Sequence, residues 1–456
     1  MRVCGVYFVF VILLSACTNG VSHLDIALQQ AKHNKAELEK VLKHFKHDSL
    51  KYRAACFLIE NMPGKYSILP YDSLDRYKNF LKIIPQNDPI SWDVRYSKIW
   101  HGFDSISKRQ LAGFSKIEDI KVITGDYLIK NIEYAFKIWE NGKIKDYCSF
   151  DEFCHYILPY RIDHEPLSNW REEGFQKFGH LLDSLMSPRE LALRIIKLGG
   201  MRYNIGMTKY PYKQSYAEML QTRWGTCDDM AAFLALSLRA IGIPASIDYV
   251  PAWANRSSSH CWNVVKDATG DFIEVGYGPE GKNEVVYKIS KIYRKKYDIP
   301  LCDVTSEYAM PLSDLTFRVP SQKDKQLISL CTFNNHDWVP VALSKVMNGS
   351  VLFESVGRGI LWGDNQIRTY LNEGKGIVFL AFISQNGRLN NKPIGFPIIL
   401  LEDGTIKELC ASTEKESIIL YRKYPYYGSN NAIIHDSNEI LSLIHISEPT
   451  RHAQIS

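Results

Sequence analysis

The chemistry of this chain centres on one thiol and one imidazole. Cys227 stands in Gln221-Thr222-Arg223-Trp224-Gly225-Thr226-Cys227-Asp228-Asp229, directly before an apolar run. Thr226 is a capping residue type, so the spacing places the thiol in the first turn of a helix. There the local N–H groups and the helix dipole favour the thiolate. Asp228 and Asp229 support the helix start but oppose a further negative charge, so strong activation requires a cationic partner. His260, in Ser257-Ser258-Ser259-His260-Cys261-Trp262-Asn263, can supply it from the start of a strand. Such a pair lets sulfur attack a carbonyl carbon and returns the proton to the departing amine. A Cys–His pair alone is weak grounds for catalysis, because a histidine near cysteines is more often structural.

These two residues need elements to hold them. Ala231, Leu234, Ala235, Leu238 and Ile241 fall near one helical stripe, and Gly242 and Pro244 end the helix. Ile247 to Val250, Cys261 to Val265 and Phe272 to Val275 read as short strands, the last two joined by the turn Asp267 to Gly270. Ahead of the thiol, Ser187-Pro188-Arg189-Glu190 and Ser215 to Glu218 mark helix starts, the first helix stopping at Gly199-Gly200. Further upstream, capping boxes are expected at Asn34 with Glu37 and at Ser149 with Glu152, a cap at Asp48, and a helix from Gly125 to Trp139. Lys291, Arg294, Lys295 and Lys296 read as a solvated linker face. Beyond about Asp303 the chain is strands and turns: Gln326 to Phe333, Trp338 to Leu343, Ser350 to Phe353, Ile377 to Ser384, Phe396 to Leu401, Thr405 to Leu409 and Ser417 to Tyr421. That spacing suits an all-β sandwich.

With Gly225-Thr226-Cys227, Asp229, the Arg239 to Ala245 segment ending Gly-Ile-Pro-Ala, and His260-Cys261-Trp262 in view, the sequence resembles the transglutaminase-like, papain-type thiol superfamily. The resemblance covers about residues 187 to 280. It implies an α+β fold in which a nucleophile helix lies against an antiparallel sheet that carries histidine and an acid. More loosely, the whole chain looks like Bacteroidetes lipoproteins that have a helical lead, such a core and a trailing β-domain, an impression helped by Phe153 to Arg161 and Glu165-Pro166-Leu167. The implied organisation is residues 17–125 helical and mixed, 126–302 the core with its leading helices, and 303–456 the β-sandwich.

The third catalytic residue departs from the family pattern. Aligning Phe272 with the family's aromatic residue puts Gly276 where an aspartate is expected. Glu274, two residues earlier and so on the same strand face, is the leading substitute for orienting His260. Asp271 reads as a turn residue, and a backbone carbonyl or an amide could also serve. By the resemblance and by geometry the Cys227 N–H belongs to an oxyanion site, with Trp224 and Gln221 as second-donor candidates. Trp262 is expected to pack beneath the histidine strand, Asp229 to brace the helix, and Cys261 to be a buried structural thiol.

At the amino terminus, Arg2 precedes an apolar run to Leu14, followed by Leu14-Ser15-Ala16-Cys17. This has the layout of an export signal and resembles the bacterial lipoprotein processing box, which implies removal of residues 1–16 and acylation of Cys17. The run is short of the ~20 apolar residues of a spanning helix. An acylated Cys17 would hold the protein to a membrane, facing the periplasm or at the cell surface, with the outer membrane as the expected site. Hydrophobic residues make up 45% of the 456 and charged residues 23%, so the chain can build more than one core. Its net charge of +5, or +4 once Arg2 is removed, comes without a dense basic patch, so nothing points to nucleic acid. Its ten cysteines contain no CxxC pair, and neither a metal nor a cofactor is called for.

The function expected from these features is hydrolysis of an amide or peptide bond through a Cys227 acyl-enzyme. The substrate would be exposed polypeptide, peptidoglycan peptide or a glycan-linked amide in the cell envelope or outside it. The missing aspartate motivates the alternative, a catalytically degenerate binding or envelope-assembly lipoprotein on the same scaffold.

Overall fold

The protein is described by a computed structural model that covers residues 22–70, 114–141, 143–203, 213–255, 258–283, 287–299, 301–319, 324–334, 337–362, 376–385 and 388–410, with four two-residue strands between 420 and 441. Residues 1–16, expected to be an export signal, and Cys17 lie outside the described residues. Three helices open the described chain: α1 (His23–Ala31), α2 (Lys35–His44) and α3 (Ser49–Glu60). Asp48 caps α3 by accepting the Lys51 N–H at 3.1 Å. The capping box expected at Asn34 and Glu37 does not form. A 3-10 turn, Lys32–Asn34, runs straight into α2, and buried Asn34 donates instead to the Ile120 and Ile123 carbonyls. Glu37 accepts the Gly125 N–H at 2.6 Å.

After the hairpin β1 (Tyr66–Pro70) and β2 (Phe114–Glu118) come α4 (Asp119–Val122), α5 (Gly125–Asn141) and α6 (Phe150–Tyr156), the last opened by the Ser149–Glu152 box. Residues of α5 and α6 share one apolar cluster with α1 to α3, including Leu38, Leu58, Phe136 and Phe153. The expected division at 125/126 therefore falls inside a common core.

A second cluster surrounds the nucleophile helix. Around it stand α7 (Trp170–Phe178), α8 (Pro188–Gly199) and α9 (Tyr216–Thr222), and the short parallel pair β3 (Arg202–Tyr203) and β4 (Trp224–Gly225) leads into α10 (Cys227–Ala240). Ser187 and Ser215 make the expected capping boxes, and Gly200 ends α8 in the left-handed region. Every residue of α10 from Asp229 to Ala240 is buried, not one stripe alone. From Met230 to Ala240 only Ser237 and Arg239 are polar, and both hydrogen-bond inside the core, so the helix is stable only when enclosed. Its open side is closed by the sheet β10-β9-β5-β6-β7, made of β5 (Ala245–Val250), β6 (His260–Lys266), β7 (Phe272–Val275), β9 (Tyr293–Arg294) and β10 (Cys302–Asp303), antiparallel throughout.

The basic stretch is not a solvated linker. It supplies β8 (Lys288–Ile289) and β9, and Lys288, Lys291 and Arg294 are buried. Arg294 grips Asp248 with two hydrogen bonds of 2.9 Å, Lys291 pairs with Asp303, and Lys295 meets Asp163 at 2.8 Å. The acids that complement this run come from elsewhere in the chain: Asp248 is buried, Asp163 half-buried and Asp303 exposed.

Beyond this sheet, β11 (Leu312–Arg318) pairs with β14 (Ser350–Gly357). Next to that pair stands a second sheet, β13-β12-β16-β17-β18, formed from β12 (Leu327–Asn334), β13 (Asp337–Lys345), β16 (Ile377–Gln385), β17 (Arg388–Leu400) and β18 (Ile406–Glu408). Ile328, Val341, Phe353 and Phe379 lie in the apolar cluster the two share. β11 and the first half of β17 had no sequence signal. Of the strand expected at Ser417–Tyr421 only Leu420–Tyr421 is described. β15 (Gly359–Ile360) reaches back to pair with β8, which ties the C-terminal sheets to the central one.

Arg294→Met would leave Asp248 buried without its partner, a change that typically costs about 3–5 kcal/mol. Urea unfolding should show that loss, and adding Asp248→Asn should recover much of it.

Candidate active site

The site begins at the cap of α10. Thr226 Oγ1 accepts the Asp229 N–H at 3.4 Å, and Asp229 Oδ2 accepts from Thr226 N and Oγ1 at 2.9 and 3.0 Å. This reciprocal box satisfies end groups of the helix and leaves the Cys227 N–H at its first position, unused by the helix ladder. Gly225 is required here by close approach: a Cβ at that position would stand 2.5 Å from the Asp229 Cβ. Asp229 thus braces the turn. The body of the helix is fixed to the sheet by Asn263, which donates to Ala231 O at 2.8 Å, and by the Tyr277 hydroxyl, which donates to Met230 O at 2.7 Å. At the far end Arg239 Nε donates to Ala245 O at 2.9 Å, and Arg171 to Arg239 O at 3.1 Å.

His260 is the first residue of β6, opposite Val250 of β5. Its ring stacks on Trp253 at 5.7 Å between centroids, with the edge of Trp362 6.2 Å away. Trp262, the next residue on that face, is buried and donates to the Tyr308 hydroxyl at 2.8 Å. Tyr308 in turn donates to Asp248 at 2.7 Å.

Cys227 is half-buried. Its thiol is lowered to about 5 by hydrogen bonding to Cys261 and to His260 and by the His260 charge, against burial and Asp228. Cys261 also lies 3.5 Å from Asp228 Oδ1 and is held well above the ordinary thiol range by Cys227, burial and Asp228. A single S–H proton cannot serve Cys227 and Asp228 at once, so we assign the durable activation to His260 and leave the proton of the thiol pair on Cys261. The Asp228 charge is in turn offset by Lys213, which sits 3.4 Å away and holds that carboxyl down. Lys295 and Lys213 together also hold half-buried Asp163 low, against the effect of its burial. Sequence reading missed this group, because Lys213 and Asp163 are far apart in the chain and carry no motif.

The structure brings Cys227 and His260 together and corrects Glu274. In the β6–β7 register Glu274 stands opposite Val264, four residues along the strand from His260. Both of its oxygens accept from the Trp362 indole, at 3.0 and 2.9 Å. The carboxylate is therefore engaged by the C-terminal sheets and not by His260, because the strand register sets it too far along. Asp271 lies in the β6–β7 turn, where its N–H is accepted by Asp267. Of the second-donor candidates, Gln221 is exposed on α9, and the Trp224 backbone N–H points to Thr222 Oγ1 at 3.4 Å. Gln214, unnoticed in the sequence, is buried and donates to Trp224 O at 2.8 Å, which holds the strand that delivers the cap. Among the described residues, no cluster of His, Cys, Asp or Glu could hold a metal, and no helix is long and apolar enough to cross a membrane.

The rate at which iodoacetamide alkylates Cys227 should stand at half its plateau near pH 5 and fall further below it. His260→Ala should move the half-point up toward the ~8.5 of a free thiol. Peptide mapping should place the label on Cys227 and not on Cys261.

Residues 180–276 match the model of the transglutaminase-like superfamily. A comparison with curated proteins finds no match. A solved structure named "Putative Cysteine Protease from Cytophaga hutchinsonii" aligns at 14% identity over 42% of this chain and 51% of that one, with a TM-score of 0.20. The chain thus spans about half the length of that structure.

Proposed function

From a segment, residues 180–276, that matches the transglutaminase-like superfamily, we propose that the protein is a thiol-dependent hydrolase of amide or peptide bonds. The observation that carries this reading is the Cys227 thiol at the first turn of an enclosed helix, with His260 close enough to favour its ionised form. In the proposed cycle the thiolate attacks the carbonyl carbon, forming the C–S bond. The oxyanion gathers at the Cys227 N–H. The His260 cation gives its proton to the leaving amine as the C–N bond breaks. Water then attacks the thioester, His260 takes its proton, and the C–S bond breaks to release the acid and restore the thiolate.

The aromatic walls around His260 favour an extended peptide over a small polar amide. An exposed polypeptide or a peptidoglycan stem peptide is therefore the substrate class to test first. Export and acylation of Cys17, proposed from the sequence of residues 1–17, would put the site in the envelope where such substrates are met. In that case the intact mass of the mature protein should lack residues 1–16 and carry added acyl mass.

A second reading, a binding protein on a degenerate site, draws on Gly276 and on the engagement of Glu274 by Trp362. Turnover decides between the two. Peptide libraries and purified stem peptides, followed by mass spectrometry, should be cleaved by the wild type, while Cys227→Ala should lose about 10³-fold or more with its fold intact. Binding by both proteins with cleavage by neither would support the second reading.

A further inference from the structure

The place left by the missing aspartate is not empty. Gly276 directly follows β7, and continuing the β6–β7 register sets it opposite Trp262, one diagonal step from His260 on the same face. A Cβ on Gly276 would meet Asn283 Oδ1 at 2.5 Å, the Lys282 carbonyl oxygen at 2.8 Å and Asn283 Cγ at 2.9 Å. The chain brings this residue back by a tight turn, in which the Gly276 N–H donates to Gly281 O at 2.8 Å. A side chain from seven residues downstream thus fills the slot that residue 276 leaves vacant.

The amide is also oriented. Asn283 Nδ2 is buried without a hydrogen-bond partner, and it lies beside Glu274, whose carboxyl burial pushes up while the Trp362 indole and the Asn283 amide favour its ionised form. An ionised carboxylate only accepts, so the amide nitrogen turns toward Glu274 and the oxygen turns into the Gly276 slot. Glu274 is itself held by the Trp362 indole. The other buried acid one diagonal step from His260, Asp248 opposite Trp262 on β5, is saturated by Arg294 and Tyr308.

The geometry points to Asn283 as the positioning residue of this site: its amide oxygen occupies the slot of a residue-276 side chain, from which it can accept the N–H of His260 on the ring nitrogen turned away from Cys227. Glu274 and Trp362 then act one step further back by fixing which way the amide faces. This deepens the hydrolase reading and rests on it. It also explains how the aspartate position can be glycine without loss of an orienting group, since an acceptor oxygen is all that the imidazolium requires.

The test uses the full chain, with iodoacetamide as the probe of Cys227 and ¹⁵N NMR of the His260 ring. Asn283→Ala and Asn283→Leu should move the half-point of the alkylation profile up by about one pH unit, a tenfold change in the ionisation equilibrium, and should alter the His260 ring signals, while circular dichroism shows an intact fold. Asn283→Asp combined with Glu274→Gln, which avoids two carboxylates in one pocket, should restore the wild-type profile; a purely structural role would give no such rescue. Wild-type profiles and ring signals in both single variants would overturn the inference and transfer the role to the Lys282 carbonyl. A wild-type half-point near that of a free thiol would instead defeat the hydrolase reading, and this inference with it.

Discussion

The site depends on enclosing a helix that, beyond its first turn, is apolar on every side but for Ser237 and Arg239. Cys227–Ala240 has no face fit for water, so α7, α8 and α9 close one side and the central sheet the other. Only its first turn is left near the surface, and the thiol stands there. Enclosure therefore does two things. It stabilises the core by burying apolar area, at about 25 cal/mol per Å². It also sets the sulfur at the one end where unsatisfied N–H groups and the helix dipole favour negative charge. The Thr226–Asp229 box closes that end without consuming the Cys227 N–H, and Gly225 gives the aspartate room to do so.

The same enclosure brings the distant parts of the chain to bear on His260. The central sheet has two working faces. Asn263 and Cys261 face α10, while Trp262, Val264 and Glu274 face the aromatic cluster that includes Trp253 and Trp362. The C-terminal sheets reach this second face through β15 and β8, and they place an indole against Glu274 and the edge of the His260 ring. They are part of the wall that holds the imidazole, beyond any role in substrate handling. The buried Arg294–Asp248–Tyr308–Trp262 chain supports the floor of that wall from the other side.

Much of this was legible in the sequence because it is local. The caps at Asp48, Ser149, Ser187, Ser215 and Thr226, the termination at Gly200, and the strand at Phe272–Val275 are each set by a few neighbouring residues. The cysteine and histidine were legible because their flanking residues form a recognisable set. What failed was non-local. Asn34 looked like a cap until tertiary structure offered it two carbonyls, and the basic run at 288–296 looked solvated because its acids, Asp163, Asp248 and Asp303, come from elsewhere. Glu274 shares the correct strand face, but only the register shows that it stands opposite Val264. Asn283 and Trp362 could not be found from spacing, since each reaches the site through a loop.

If Cys227 forms a thioester while the chain turns over a peptide, rapid-quench intact-mass measurement during turnover will catch it. The expected result is an acyl adduct that maps to Cys227, is released by hydroxylamine, and is absent from Cys227→Ala. Cleavage of the same peptide with no adduct on Cys227 at any time, and at an undiminished rate in Cys227→Ala, would contradict it.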